Sequence, residues 1–185
     1  AAFPAEMQRD FANAIAEPKP VHKPWPTIYA GGESEAAKTL IATLCDAYVM
    51  HGDPADAIKP KIADMEERRS SAGKGRMQYG MAAFAIVRDS EAEAKKELAR
   101  ITQMPPKPPK GFDNFEQWLS GTELEREMKL HEYSVSNRGL RPNLVGTPEQ
   151  VRERIEEFEA AGLDLLLLQM SPQAEEMDRF AAQVI

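Results

Sequence analysis

The chain has 185 residues, 42% of them hydrophobic, enough for one domain with a sizeable core. Its formal charge of −7 excludes the clustered basic surface that nucleic acid requires, and its single cysteine excludes an internal disulfide framework. No apolar run reaches the length of a membrane span and no secretory signal is visible, so the expectation is a cytoplasmic protein with neither a nucleic-acid nor a membrane partner.

Residues 1–26 read as a lead-in that starts mid-stream, on Ala1-Ala2 with no initiator methionine. A short helix is expected from Glu6 to Ala14. The proline-rich stretch Glu17 to Pro26 cannot be helix interior and should cross the surface extended. Within it, Trp25 reads as an anchor and His22 as a solvated loop residue. Thr27-Ile-Tyr-Ala-Gly-Gly-Glu-Ser-Glu35 then reads as a buried strand ending at Ala30, a glycine turn and a helix capped by Ser34. The apolar stripe of that helix is Ala36, Ala37, Leu40, Ile41 and Leu44. Glycines let backbone approach a ligand, and the unpaired N–H groups of a first helical turn suit a phosphate. Gly-Gly before a helix is also ordinary turn chemistry, and both readings stand. Cys45, beside Leu44, reads as a buried structural thiol.

Asp46 to Gly52 forms a second short strand, and Asp53-Pro54 opens a helix with aspartate as cap and proline in the first turn. Ile58, Ile62 and Met65 give its stripe. Pro60 conflicts with that helix, because interior proline costs about 3 kcal/mol, and implies a kink or a later start. The basic residues from Arg68 to Arg76 read as a solvated helix end and loop. Met77 to Val87 is a third strand, apolar enough to be covered on both faces. Ser90 and Glu93 form a capping box for a helix with Ala94, Leu98 and Ile101 inward. Residues 104–143 then break the rhythm as a lid-like insertion. It has a proline-rich loop, a helix over 114–130 with Phe115, Trp118, Leu119 and Leu124 apolar, and a second loop from Ser134 to Pro142. After the lead-in Leu144-Val-Gly, Thr147, Pro148 and Gln150 open a helix with Val151, Ile155 and Phe158, which Gly162 ends. Asp164 to Gln169 is the fourth buried strand. Ser171-Pro172 caps a last helix with Met177, Phe180, Ala181 and Val184 inward.

Four strands alternating with helices indicate a parallel α/β sheet in one domain, with right-handed crossovers and strand order following the sequence. It is either an open doubly wound sheet or part of a (β/α)8 barrel; a full barrel needs roughly 250 residues, so this would be about half. In both, a site sits at the strand carboxyl ends: Gly31 to Ser34, His51 and Gly52, Arg88, and Gln169 to Ser171. Three histidines and one cysteine show no metal-ligand spacing. His51 could hydrogen-bond a ligand or simply line the wall, and His131 has no assigned role.

From about Ile15 to Ile185 the sequence resembles the luciferase-like, reduced-flavin-dependent monooxygenases, and among them the bacterial dimethylsulfone and alkanesulfonate monooxygenases. The likeness rests on Glu17 to Val21, Pro26 to Glu35, Asp46 to Pro54, Ser134 to Gly139, Leu144 to Gln150 and Leu165 to Pro172, in that order and spacing. It implies the C-terminal half of a TIM (β/α)8 barrel, with residues 104–143 as a mobile lid. It also implies that Gly31, Gly32, Glu33 and Ser34 hold the phosphate of FMN, which these enzymes take reduced, as FMNH2, from a flavin reductase. Arg138 is then the catalytic arginine, with Arg141 as its rival. A guanidinium there suits an anionic oxygen or a sulfone oxygen, or it ties the loop to an acidic neighbour. His51, Gln169 and Ser171 would line the substrate pocket. Ser171 stands where the sulfonate enzymes have tyrosine, which points to a different substrate, a small organosulfur compound such as dimethylsulfone whose C–S bond is cleaved with O2. Two alternatives remain: a non-catalytic truncated half-barrel needing a partner, and a deazaflavin-dependent reductase of the same superfamily. A half-barrel has two open strand edges, so the expected partner is a second copy or a missing N-terminal half.

Overall fold

The computed structural model describes residues 17–19, 21, 26–102 and 139–185. The helices expected at Glu6 to Ala14 and over 114–130 lie outside the described residues, as do His22, Trp25, His131 and Arg138. The elements are β1 (Tyr29–Gly31), α1 (Glu35–Leu44), β2 (Ala47–Met50), α2 (Ala55–Ser71), β3 (Gln78–Val87), α3 (Glu91–Ile101), β4 (Leu144–Gly146), α4 (Pro148–Ala160), β5 (Leu165–Gln169) and α5 (Gln173–Gln183).

Every strand pair is parallel, and β1, β2, β3 and β5 lie side by side in sequence order. One row crosses the whole sheet through Gly31, Val49, Gly80 and Leu165. These are the four strands expected from the sequence, and their crossovers are the helices between them. The fifth, β4, was expected only as a lead-in to α4. It pairs Leu144, Val145 and Gly146 with Ala85, Ile86 and Val87 of β3. Successive N–H groups of a strand point to opposite edges. Those of Gln78, Phe84 and Arg88 donate to Asp46, Gly139 and Gly146, so β4 continues the edge that β2 leaves after Met50. Three residues carry too little pattern for that strand to be legible alone; the long β3 creates it.

Alternation along β3 separates two layers. Tyr79, Met81, Ala83, Ala85 and Val87 join the main core with Ile41, Ile58, Met65, Val151, Phe158 and Phe180 from the helices. Phe84 and Ile86 join a smaller cluster with Ala94 and Val145. Cys45 is buried as expected, although Leu44 beside it, from which that burial was inferred, is exposed. The strands at either side are less covered than expected: β1 and β5 are half-exposed, with Tyr29 and Leu167 showing 48% and 47% of their surface. Leu40 and Leu44 of α1 and Met177 of α5 were expected inward and are exposed, and so is Ala181. The buried positions of α5 are instead Glu176, Phe180 and Val184. All these exposed apolar groups belong to the first and last strand–helix units, which have a neighbour on one side only among the described residues.

The caps follow the sequence in three helices and depart in two. Ser34, Ser90 and Thr147 each accept from a first-turn N–H, and Thr147 with Gln150 forms the full reciprocal box. Gly162 takes a φ of +98° after α4. Asp53 does not cap α2; Pro54 holds that position without a side-chain bond, because the Asp53 carboxylate is used elsewhere. Ser171 likewise gives way to Pro172 at the start of α5. Pro60 lies within α2, which nevertheless begins at Ala55. Pro60 sits on the exposed face of that helix.

Charged side chains clamp α1 to α2. Lys38 donates to Asp64 at 3.0 Å, and Arg68 bridges Asp64 and Glu35 at 2.8 and 2.7 Å. Burial alone would raise the Asp64 carboxyl, but the hydrogen bonds from Lys38 and Arg68 hold it below its ordinary 3.8. A depressed carboxylate stabilises the fold above its unfolded pKa and loses that contribution as pH falls through the folded value. Asp64→Asn should therefore lower the unfolding midpoint at neutral pH, and the gap from wild type should shrink steadily below pH 3.8. Thermal melts across that range check it.

Candidate functional site

The carboxyl ends of β1 and β2 converge on the Gly31–Ser34 turn. Gly32 has φ +149°, and a Cβ there would sit 2.7 Å from the Cβ of Ala37. A Cβ on Gly31 would come 3.0 Å from the Val49 carbonyl oxygen. Both glycines are thus required by the close approach of the turn to its own neighbours. The turn is pinned from below by Tyr48, almost wholly buried, whose hydroxyl donates to the Gly32 carbonyl at 3.1 Å. From above, Ser34 Oγ accepts from the Ala37 N–H at 3.3 Å. The first turn of α1 opens directly after it, so the peptide dipoles of ten helical residues point their positive end at this turn.

Beside the turn lies a charged group that motif reading did not assemble. Lys61 of α2 donates to Glu33 Oε1 at 2.8 Å and to Asp53 Oδ2 at 2.7 Å. Arg141 Nε meets the other Asp53 oxygen at 2.8 Å. The Asp53 side chain is only 3% exposed. Burying a charge is costly unless it is paired, and among the described residues Lys61 and Arg141 supply that pairing. His51 Nδ1 lies 4.0 Å from Glu33 Oε1. The Glu33 carboxylate, which the family resemblance placed among the phosphate-holding groups, turns toward Lys61.

Of the residues singled out from sequence, Gly31, Gly32, Glu33, Ser34 and His51 come together here. Gln169 and Ser171 are exposed and lie beyond β3 on the last strand, three strand spacings or ~14 Å from the turn. Arg88 at the end of β3 is committed to the scaffold: it donates to Glu176 at 2.6 Å and to the Val87 carbonyl, with Glu97 3.6 Å away. Arg138 lies outside the described residues, while its rival Arg141 faces Asp53. Tyr48, Asp53 and Lys61 were missed as site residues. The only sequence signal for the last two was an aspartate just before a helix and a lysine eight residues on. Among the described residues no group of His, Cys, Asp and Glu could hold a metal, and no helix is long and apolar enough to cross a membrane.

A family model described as luciferase-like monooxygenase matches residues 3–165. The chain belongs to the luciferase-like monooxygenase family. It is 31% identical over 181 residues to an FMNH2-dependent dimethylsulfone monooxygenase of Pseudomonas putida, covering 95% of this chain and 50% of that protein. Two solved structures show the shared fold. DmoA from Hyphomicrobium sulfonivorans superposes with TM-score 0.64 at 15% identity, over 86% of this chain and 40% of its own. An F420-dependent secondary alcohol dehydrogenase does so with TM-score 0.56 at 20% identity, over 85% and 47%. The chain spans about half the length of the curated relatives it matches, and the parallel sheet with its helices is half of the luciferase-like (β/α)8 barrel.

Two substitutions test how the turn is held. Gly32→Ala should cost about 1–3 kcal/mol, from the strained backbone and the contact with Ala37. Tyr48→Phe should cost about 1 kcal/mol, one hydrogen bond. Urea unfolding of each variant measures both.

Proposed function

We propose that the chain is the FMN-phosphate-binding half of a reduced-flavin-dependent monooxygenase acting on a small organosulfur compound of the dimethylsulfone type. The observation that carries this reading is the Gly31–Ser34 turn, two glycines followed by Glu33 and the cap Ser34, at a helix N-terminus on the carboxyl side of a parallel sheet, in a chain of this family. The similarity to the Pseudomonas putida dimethylsulfone enzyme supports the cofactor and substrate class. Backbone N–H groups of the turn and of the first turn of α1 receive the phosphate, with the Ser34 hydroxyl beside them. Reduced flavin, when bound, supplies two electrons so that one atom of O2 enters the substrate and the other leaves as water. The protein contributes position, charge and exclusion of water. His51 lies within reach of the cofactor's polar chain, Gln169 and Ser171 line the substrate end, and Arg138 supplies planar paired donors to an oxygen of the substrate or of activated oxygen.

The working enzyme in this reading includes a first half-barrel, which covers Tyr29, Leu167 and the exposed faces of α1 and α5, and a flavin reductase that delivers FMNH2 in the cytoplasm. The residues 104–143 serve as lid, following 1–26 as lead-in and within a single domain of residues 1–185. The 185 residues alone are expected to give no sulfinate or sulfite from a sulfone in a reductase-coupled assay, and to self-associate in sedimentation at micromolar concentration. The rival chemistry, a deazaflavin-dependent reductase, shares this fold. It differs in consuming no O2 with FMNH2.

The cradle is tested best at Ser34. Aspartate caps helices as well as serine does, so Ser34→Asp should keep the fold while placing a negative charge at the phosphate. FMN affinity of the assembled enzyme, read by fluorescence quenching, should fall by at least about a hundredfold, whereas Ser34→Ala should cost about 1 kcal/mol. Gly32→Asp should also abolish binding. Unchanged FMN affinity in Ser34→Asp and Gly32→Asp, with circular dichroism intact, would reduce this stretch to an ordinary turn.

A further inference from the structure

The cradle contains its own obstacle. Glu33 sits between Gly32 and Ser34, and a carboxylate free to swing over the turn would repel a phosphate dianion at a few ångströms. We infer that Lys61 is the positioning residue that makes this turn compatible with a phosphate, by drawing the Glu33 carboxylate sideways onto α2. The inference rests on the phosphate-cradle reading above.

Three observations carry it. Lys61 Nζ is 2.8 Å from Glu33 Oε1, so the carboxylate is neutralised on the side facing α2. The same ammonium is 2.7 Å from Asp53 Oδ2, and Asp53 is buried. Lysine usually carries a long, mobile side chain, but this one cannot swing away without stripping a buried carboxylate of one of its cations. Finally, Arg141 Nε forms an ion pair with the other Asp53 oxygen at 2.8 Å, so the carboxylate that holds Lys61 has a second cation beside it. The order of dependence runs from Arg141 to Asp53, from Asp53 to Lys61 and from Lys61 to Glu33. Among the described residues, Lys61 meets Glu33 and Asp53, Arg141 meets Asp53, and His51 Nδ1 lies 4.0 Å from Glu33 Oε1.

FMN and riboflavin separate this role from a general structural one, because they differ only in the phosphate. The 15N-labelled 185-residue chain is titrated with each, following the amide shifts of Gly32, Glu33 and Ser34, in wild type, Lys61→Gln, Glu33→Gln, the double variant and Lys61→Arg. Lys61→Gln should weaken FMN about tenfold and leave riboflavin unchanged. The double variant should return to the FMN affinity of Glu33→Gln, since no carboxylate is left to restrain, and Lys61→Arg should stay near wild type. A double variant as weak as Lys61→Gln would make Lys61 a direct phosphate ligand and overturn the inference. So would equal loss for FMN and riboflavin, or no loss in Lys61→Gln while wild type still prefers FMN. Turn amides in wild type that respond to riboflavin and FMN alike, or to neither, would overturn the cradle itself and this inference with it.

Discussion

The sheet is organised by one strand with neighbours on both edges. β3 has ten residues, against three to five in the others, and it hydrogen-bonds to β2 and β4 along one edge and to β5 along the other. Parallel strands cannot be joined by a tight turn, so each pairing with β3 requires a helix to return the chain. α2, α4 and α5 lay their apolar faces on its odd-numbered side chains, and α3 lies on the even-numbered Phe84 and Ile86. Because β3 outreaches β2, it leaves an open stretch of edge near its carboxyl end, which Gly139 and β4 occupy. That extension brings Arg141 down beside Asp53.

Charge in this molecule is sorted by depth. On the outer surface, Glu35, Lys38, Asp64 and Arg68 knit α1 to α2 in partly solvated pairs, each worth little alone. At the strand ends, Asp53 and Glu176 are buried carboxylates, each answered by an arginine near the end of the sheet, Arg141 and Arg88 respectively. Burying such a pair rarely adds net stability, because desolvation offsets attraction; losing one partner is what costs. These pairs therefore make geometry specific. Arg88 fastens β3 to α5, and Arg141 with Lys61 fastens the turn after β1 to the segment before β4.

The exposed apolar groups have a common address. Tyr29, Leu40 and Leu44 lie on the first strand–helix unit, and Leu167 and Met177 on the last. Interior units are covered by a neighbour on each side, so the uncovered faces are those that a closed barrel would bury against further units. The fold neighbours, of whose chains this one covers 40–47%, fit that arrangement.

Much of this was legible in the residues alone. Caps at Ser34, Ser90 and Thr147, the stripe of α2, the unbroken apolar run of β3 and the turn at Gly162 all act through contacts within a few positions of one another, and local patterns record local contacts. Parallel order followed too, since helices between strands exclude hairpins. The departures share one cause. Asp53 and Ser171 occupy positions where a cap is expected, but Asp53 is drawn to Lys61 and Arg141, and Pro172 takes the place at α5. Leu40, Leu44 and Met177 have helical spacing yet face outward, because periodicity says which side of a helix is apolar and not what covers it. The strand at Leu144 exists only because β3 offers an edge. Sequence alone determined the elements, their order and the glycine turn. Tertiary structure decided which carboxylates meet which cations, since residues 33, 53, 61 and 141 are brought together by sheet pairing across separations that no local pattern encodes.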